Sequence, residues 1–343
     1  MKKTLVSILI PAYNAERWIT ETLESAISQT WQKKEIIVVD DGSSDKTFSI
    51  AKKHESVILK VIRQENQGAS TARNLALSHA QGDYIQWLDA DDLLAQNKIS
   101  RQLLELEKGY GARTLISGSF AIFYARLKKA KFVPNSLWKD LSPVDWLINK
   151  FQNNIWMSPA VWLVSKDLTD RAGSWDERLS LDDDGEYFSR IVAESEHIHF
   201  VPEAKAYYRQ WQTGSLSRIR SEKAIKSLYL SLTLCINYLL DLEDSQRTRD
   251  ACILYLQKRS DYFYPDHADL FDKIRKIALD LGRDIIIPKQ KNKYIVIEKL
   301  FGSYTTKNLI SIARKTKFLA AYHLDDIFLK IQHIRGGINK SDA

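Results

Sequence analysis

The chain has 343 residues, 44% hydrophobic and 27% charged, which suits a folded globular protein and excludes disordered, collagenous and disulfide-stapled classes. Its two cysteines, Cys235 and Cys252, offer neither a disulfide framework nor zinc-ligand spacing. The net charge of +7 is carried by the tail, where twelve basic and five acidic residues follow from Arg283 onward, and no nucleic-acid recognition motif accompanies it.

The first apolar run, Leu5–Ile10, is too short for an export signal, and its β-branched content predicts a buried strand. No later run approaches the ~20 apolar residues needed to cross a bilayer, so a cytoplasmic protein is expected. Further strands are predicted at Glu35–Val39, Val57–Arg63 and Tyr84–Leu88. Between them lie helical patterns at Arg17–Gln29, after the Ser44-Asp45 cap, after Gly68, and at Gln96–Glu107. The alternation predicts an α/β fold, a mixed and mainly parallel sheet flanked by helices. Farther on, Thr114–Ser119 and Ala160–Ser165 read as strands, and Ser142-Pro143 opens a helix to Lys150. An acidic cluster at Asp182–Glu186 precedes a strand ending near Trp211. From about Ser221 the pattern turns helical, with Leu228, Leu232, Ile236 and Leu239 on one face.

Ligands of open α/β sheets sit outside the carboxyl ends of the strands. Three predicted strands end in polar or acidic groups: Pro11-Ala12-Tyr13-Asn14, Asp40-Asp41-Gly42-Ser43 and Asp89-Ala90-Asp91-Asp92. Any one of these acids reads equally well as a helix cap, but three strand ends meeting in one crevice read as a site. Carboxylates at Asp89 and Asp91 suit a hard divalent cation, Mg²⁺ or Mn²⁺, with positions left over for phosphate oxygens.

Taken with Ser28-Gln29-Thr30, Asn66-Gln67-Gly68 and Ala72-Arg73-Asn74, these segments make residues 5–93 resemble the nucleotide-sugar-binding half of family 2 glycosyltransferases. That family has the GT-A fold and inverts anomeric configuration. The resemblance implies a catalytic domain over 1–217, divided into a donor half (1–110) and an acceptor and base half (111–217), followed by a helical, basic region over 218–343. It implies that Pro11, Ala12, Tyr13 and Asn14 border the base and ribose, and that Asp41 accepts from the base. Gly68, Arg73 and Asn74 would lie near the donor, with Arg73 steadying Asp41 or a phosphate or bracing the crevice as an ion pair. Asp89 and Ala90 would lie by the ribose, Asp91 would be the direct metal ligand with Asp89 beside it, and Arg209 would be a candidate diphosphate contact or a solvated edge-strand residue.

The family takes its catalytic base from an acidic pair after an aromatic-Asp-Glu segment. Counting from Trp175-Asp176-Glu177 places that pair at Asp183 and Asp184, with Asp184 as base, although three consecutive aspartates leave the register open by one residue. An acidic helix N-terminus is the alternative. Trp156 is the candidate acceptor contact among Trp138, Trp146, Trp156 and Trp162, for which core packing is the competing role. The expected partners are a nucleotide-sugar, with UDP first among the nucleotides, and a glycan or lipid-linked acceptor. The basic tail, with Leu324, Ile327, Phe328, Ile331 and Ile334 on one face, fits an anionic membrane surface, a homodimer contact or packing on the catalytic domain. The rival readings are a sugar-phosphate nucleotidyltransferase, which would want a glycine-rich loop where Pro11–Asn14 stands, and a degenerate nucleotide-binding partner subunit.

Overall fold

A computed structural model describes residues 4–210 and 221–287. Four strands of the first third, β1 (Val6–Ala12), β2 (Lys34–Asp41), β3 (Leu59–Gln64) and β4 (Tyr84–Trp87), pair in parallel in the order β3-β2-β1-β4. The two-residue β8 (Val164–Ser165) closes that sheet antiparallel to β4. β1 and β2 are buried on both faces, which is why they read as continuous apolar runs. Crossovers run through α1 (Ile19–Ile27), α2 (Thr47–Lys52) and α3 (Ala69–Ser78). Because Ala12 pairs with Asp40 and Leu9 with Trp87, the carboxyl ends of β1, β2 and β4 open on one edge. That register brings Tyr13, Asp41 and Asp89 into a single crevice.

A second sheet has the order β5-β9-β6-β7, from β5 (Leu93–Leu94), β9 (His197–Arg209), β6 (Thr114–Phe123) and β7 (Lys131–Phe132). β6 runs four residues beyond the expected Ser119 and is parallel to β9, with a register shift between Gly118 and Ser119. At that bulge a Cβ on Gly118 would stand 2.2 Å from the Ala204 carbonyl oxygen. Gly118→Ala is therefore expected to cost about 3 kcal/mol, read as a fall of several degrees in Tm.

Only the end of the expected Ala160–Ser165 strand pairs, because Pro159 and the Ser158 cap turn the chain through a single 3₁₀ turn, Pro159–Val161. The helix opened by Ser142 does form: its hydroxyl accepts from the Asp145 N–H at 3.1 Å. This α5 (Pro143–Asn153) stops at Asn154, whose φ of 50° ends the helix in a left-handed turn. The remaining helices are α4 (Lys98–Leu106), α6 (Lys166–Ala172), α7 (Asp183–Glu194), α8 (Glu222–Leu242), α9 (Gln246–Arg259) and α10 (Ala268–Asp280).

The expectation that no segment could cross a bilayer is corrected at α8, whose 21 residues are long and apolar enough by length and composition. Serines spaced through it hide the run from a simple scan. In the fold Leu228, Leu232, Ile236 and Leu239 are buried, and Ser227 and Ser231 bond the loop before α7, so this face is a packing face. The boundary expected at 218 falls in a stretch outside the described residues, and α8–α10 share one continuous core with the sheets. The basic tail stripe from Leu324 to Ile334 also lies outside the described residues.

Candidate active site

At the end of β1 the backbone of Asn14 turns to a φ of 48°, and its side-chain oxygen accepts from the Ser44 N–H at 2.9 Å. The Asn14 N–H donates to the Ser43 hydroxyl, so the ends of β1 and β2 are tied together and Tyr13 is left 53% exposed at the crevice lip. Asp41 is buried, and its carboxylate accepts from the Gln64 side chain at 2.7 Å and from the Gln67 and Gly68 N–H groups, both at 2.9 Å. In this structure Asp41 first of all shapes the turn that opens α3. Gly68 takes a φ of 99° at that turn.

The loop after β4 holds Asp89, Asp91 and Asp92 within one turn. Thr22 donates to the carbonyl oxygens of Ala90 and Asp92, both at 2.9 Å, which fixes the loop backbone. Burial and the repulsion of Asp89 push Asp91 up to about 7, and burial with Asp91 and Asp89 raises Asp92 well above the usual carboxylate range. Arg209 does not face the crevice as a diphosphate contact, nor is it solvated on an edge strand. It is 1% exposed, lies 4.2 Å over the Trp18 ring and donates to the Asp91 carbonyl oxygen and the Glu21 carboxylate. Its own N–H donates to Asp92, so it braces the acidic loop from beneath.

The three aspartates at the head of α7 have three different surroundings. Asp182, left-handed with a φ of 63°, accepts from the Ser231 hydroxyl at 2.7 Å. Asp183 accepts from Arg73 at 2.7 Å. Among the described residues Asp184 accepts only from its neighbour's N–H, Gly185, at 2.8 Å, and burial together with Asp183 and Asp182 pushes it up to about 7. Arg73 is buried, lies 4.3 Å over the Trp175 ring and gives its second nitrogen to Asp89 at 2.9 Å. One guanidinium therefore joins the acidic loop to the head of α7, the bracing role. The contact with Asp41 expected as its alternative is not made.

Asn74 does not turn toward the carboxylates. Its amide is consumed in a two-way clasp with the Trp175 backbone, at 2.8 and 3.0 Å, and it lines a separate cavity of about 510 Å³ with Glu177, Arg178, Glu186 and Tyr238. None of Asp41, Asp89, Asp91 and Asp184 lines that cavity. The Glu186–Arg190 pair, at 2.8 Å, is a buried brace of α7.

The family described as glycosyl transferase family 2 matches residues 7–142. Residues 7–142 carry the pattern of this family. Over 333 residues it is 26% identical to the minor teichoic acid biosynthesis protein GgaB of Bacillus subtilis, covering 95% of this chain and 35% of that one. It is 47% identical over 107 residues to the Escherichia coli UDP-Glc:alpha-D-GlcNAc-diphosphoundecaprenol beta-1,3-glucosyltransferase WfaP, covering 30% of this chain and 43% of that one. It thus spans less than half the length of these relatives. Among solved structures, Staphylococcus aureus TarS 1-349 in complex with UDP-GlcNAc superposes with a TM-score of 0.66 at 19% identity, covering 82% of this chain and 81% of that one. The architecture is the GT-A fold.

Tyr208, to which the sequence reading gave no role, lies near the acidic loop. Burial raises its phenol pKa first, followed by the charges of Asp92, Asp91, Asp184 and Asp89, so one hydroxyl lies within the field of all four carboxylates. The Tyr207-Tyr208 doublet beside Arg209 was the available signal. Trp156, 42% exposed, packs edge-on to Tyr208 at 4.9 Å and tilted against Phe120 at 5.1 Å. Ser158, two residues on, donates to Asp92 at 3.4 Å. Trp146 and Trp162 are core residues, and Trp138 packs between Phe120 and Phe200.

Proposed function

We propose that the chain is an inverting, divalent-cation-dependent glycosyltransferase of cell-wall or surface-polysaccharide synthesis. It would move one sugar at a time from a UDP-sugar to a hydroxyl of a glycan or lipid-linked acceptor, at the cytoplasmic face of a membrane. The observation that carries this reading is the division of labour among the aspartates. Asp182 and Asp183 are held by Ser231 and Arg73, which leaves Asp184 as the carboxylate of the three that no side chain among the described residues occupies. The names of WfaP and of the TarS complex support UDP as the nucleotide.

Asp91 fits a cation ligand. Its carboxylate forms no ion pair with a described residue, burial and Asp89 disfavour its charge, and oxygen donors suit Mg²⁺ or Mn²⁺. A bound cation would act as a Lewis acid, neutralising the diphosphate as it leaves. Asp184 takes the proton of the acceptor hydroxyl while that oxygen bonds to the anomeric carbon from the face opposite the diphosphate. The carbon–oxygen bond to the diphosphate breaks in the same displacement, which inverts the configuration. Arg73 holds the head of α7 at a set distance from the acidic loop, and Trp156 with Tyr208 offers an aromatic face to the acceptor sugar. With burial as the main cause of the raised Asp184 value, the base is active only when deprotonated. The rate of chemistry is expected to climb through an inflection near pH 7 and to be lost below it.

A thermal-shift panel of UDP, GDP, TDP and CMP with and without Mn²⁺ tests the donor assignment. At about a hundred times its dissociation constant the right nucleotide stabilises the fold by roughly 2.7 kcal/mol. A cation-dependent shift with UDP is expected. No shift with any nucleotide would favour the non-catalytic partner reading instead.

A further inference from the structure

We infer that Asp140, His197 and His199 form a second metal site, for a borderline ion of the zinc class, at the end of the second sheet remote from the donor crevice. His197 and His199 open β9 at alternate positions, so both imidazoles leave the same face of the strand. Asp140 reaches them because Leu141 and Ile198 exchange backbone hydrogen bonds, and its Oδ1 is fixed by the Phe200 N–H at 2.8 Å. Its Oδ2 then stands 2.9 Å from His199 Nδ1 and 3.6 Å from His197 Nε2, and one ligand atom from each of the three residues falls within 4.8 Å of the others. Metal–nitrogen bonds of ~2.05 Å in a tetrahedral site put neighbouring ligand atoms about 3.3 Å apart, and the two measured edges straddle that value.

The surroundings match what a metal-bound imidazole requires. With Nδ1 turned to the ion, His199 Nε2 lies 3.4 Å from Glu105 Oε2, the outer carboxylate that sets tautomer and ring orientation at metal sites. Glu105 is itself held by Lys108 at 2.6 Å. The Tyr110 ring stacks on His199 at 4.4 Å, and its hydroxyl lies 3.2 Å from Nδ1, close enough to fill or hydrogen-bond a fourth position. Two imidazoles with one carboxylate favour Zn²⁺ or Co²⁺ over Mg²⁺, unlike the all-oxygen set of the donor crevice. The two sites are separated by the length of the ten-residue β6, about 30 Å at ~3.3 Å per residue. Four elements meet here: α4, the loop before β6, the loop before α5, and β9. An ion would crosslink them.

The test uses the untagged full chain, stripped with EDTA, loaded with Zn²⁺ and desalted, with retained metal counted by mass spectrometry. Co²⁺ substitution reports the geometry through its visible absorption. One equivalent of Zn²⁺ and a tetrahedral Co²⁺ spectrum are expected. Retention should be lost, or affinity weakened at least about tenfold, in a His197→Gln/His199→Asn variant, and kept in Asp91→Ala. His197→Gln alone, on a partly exposed side chain, guards against misfolding and should also weaken retention. Failure of the wild-type chain to hold Zn²⁺, equal retention by the histidine variants, or loss of the ion in Asp91→Ala would each overturn the inference. In those cases the three side chains are an ion-paired cluster only.

Discussion

Asp184→Asn is expected to lower kcat by about 10²–10⁴-fold, the range that a positioned general base supplies, while the affinity for UDP-sugar and cation stays within a few-fold of wild type. The substitution keeps the side-chain shape and the acceptor oxygen for the Gly185 N–H. Only the capacity to take a proton is removed, so the residual rate should also lose the inflection near pH 7. Single-turnover transfer paired with calorimetric donor binding would separate the two effects. A parallel fall in donor affinity would instead assign Asp184 to the donor site.

Asp91→Ala is expected to have the opposite profile. Removing a direct ligand should weaken Mn²⁺-supported binding of the UDP-sugar by more than the 10–100-fold that loss of an outer partner costs at a metal site. The Arg209 contact to this residue goes to its backbone oxygen, so the loop brace survives the substitution. Titration of donor with and without Mn²⁺ reads the effect as a lost cation dependence. Unchanged cation-dependent affinity would move the ligand role elsewhere in the acidic loop.

The parallel frame was legible because both of its signals are local. Runs such as Val6–Ala12 are apolar over one strand length, and the motifs sit where those runs stop. The crevice followed from strand order, and Asp41, Asp89 and Asp91 do emerge at its edge. The division among Asp182, Asp183 and Asp184 was not legible, since the deciding partners lie 49 residues downstream at Ser231 and 110 residues upstream at Arg73. The contacts that Asn74 and Arg209 make were hidden for the same reason. A polar residue in a motif reads as a ligand contact until its partner, the Trp175 backbone or the Trp18 ring, is brought in by the fold. His197 and His199 drew no notice at all, because a third ligand from Asp140 arrives only when Leu141 pairs with Ile198.

The crowding of Asp91, Asp92 and Asp184 carries an evolutionary consequence. Each is a carboxylate that the native state prefers to keep protonated, with burial as the leading cause, so its ionisation between its unfolded pKa, near 4, and its raised native value works against the fold. Above about pH 7 that penalty is in full force for Asp91 and Asp184. Neutral replacements at Asp91 and Asp184 are expected to make a sturdier protein that lacks the proposed cation ligand and base. Selection on robustness alone would erode this corner of the chain first, and a lineage that drops these carboxylates while keeping its core would be one freed from the diphosphate chemistry proposed for them.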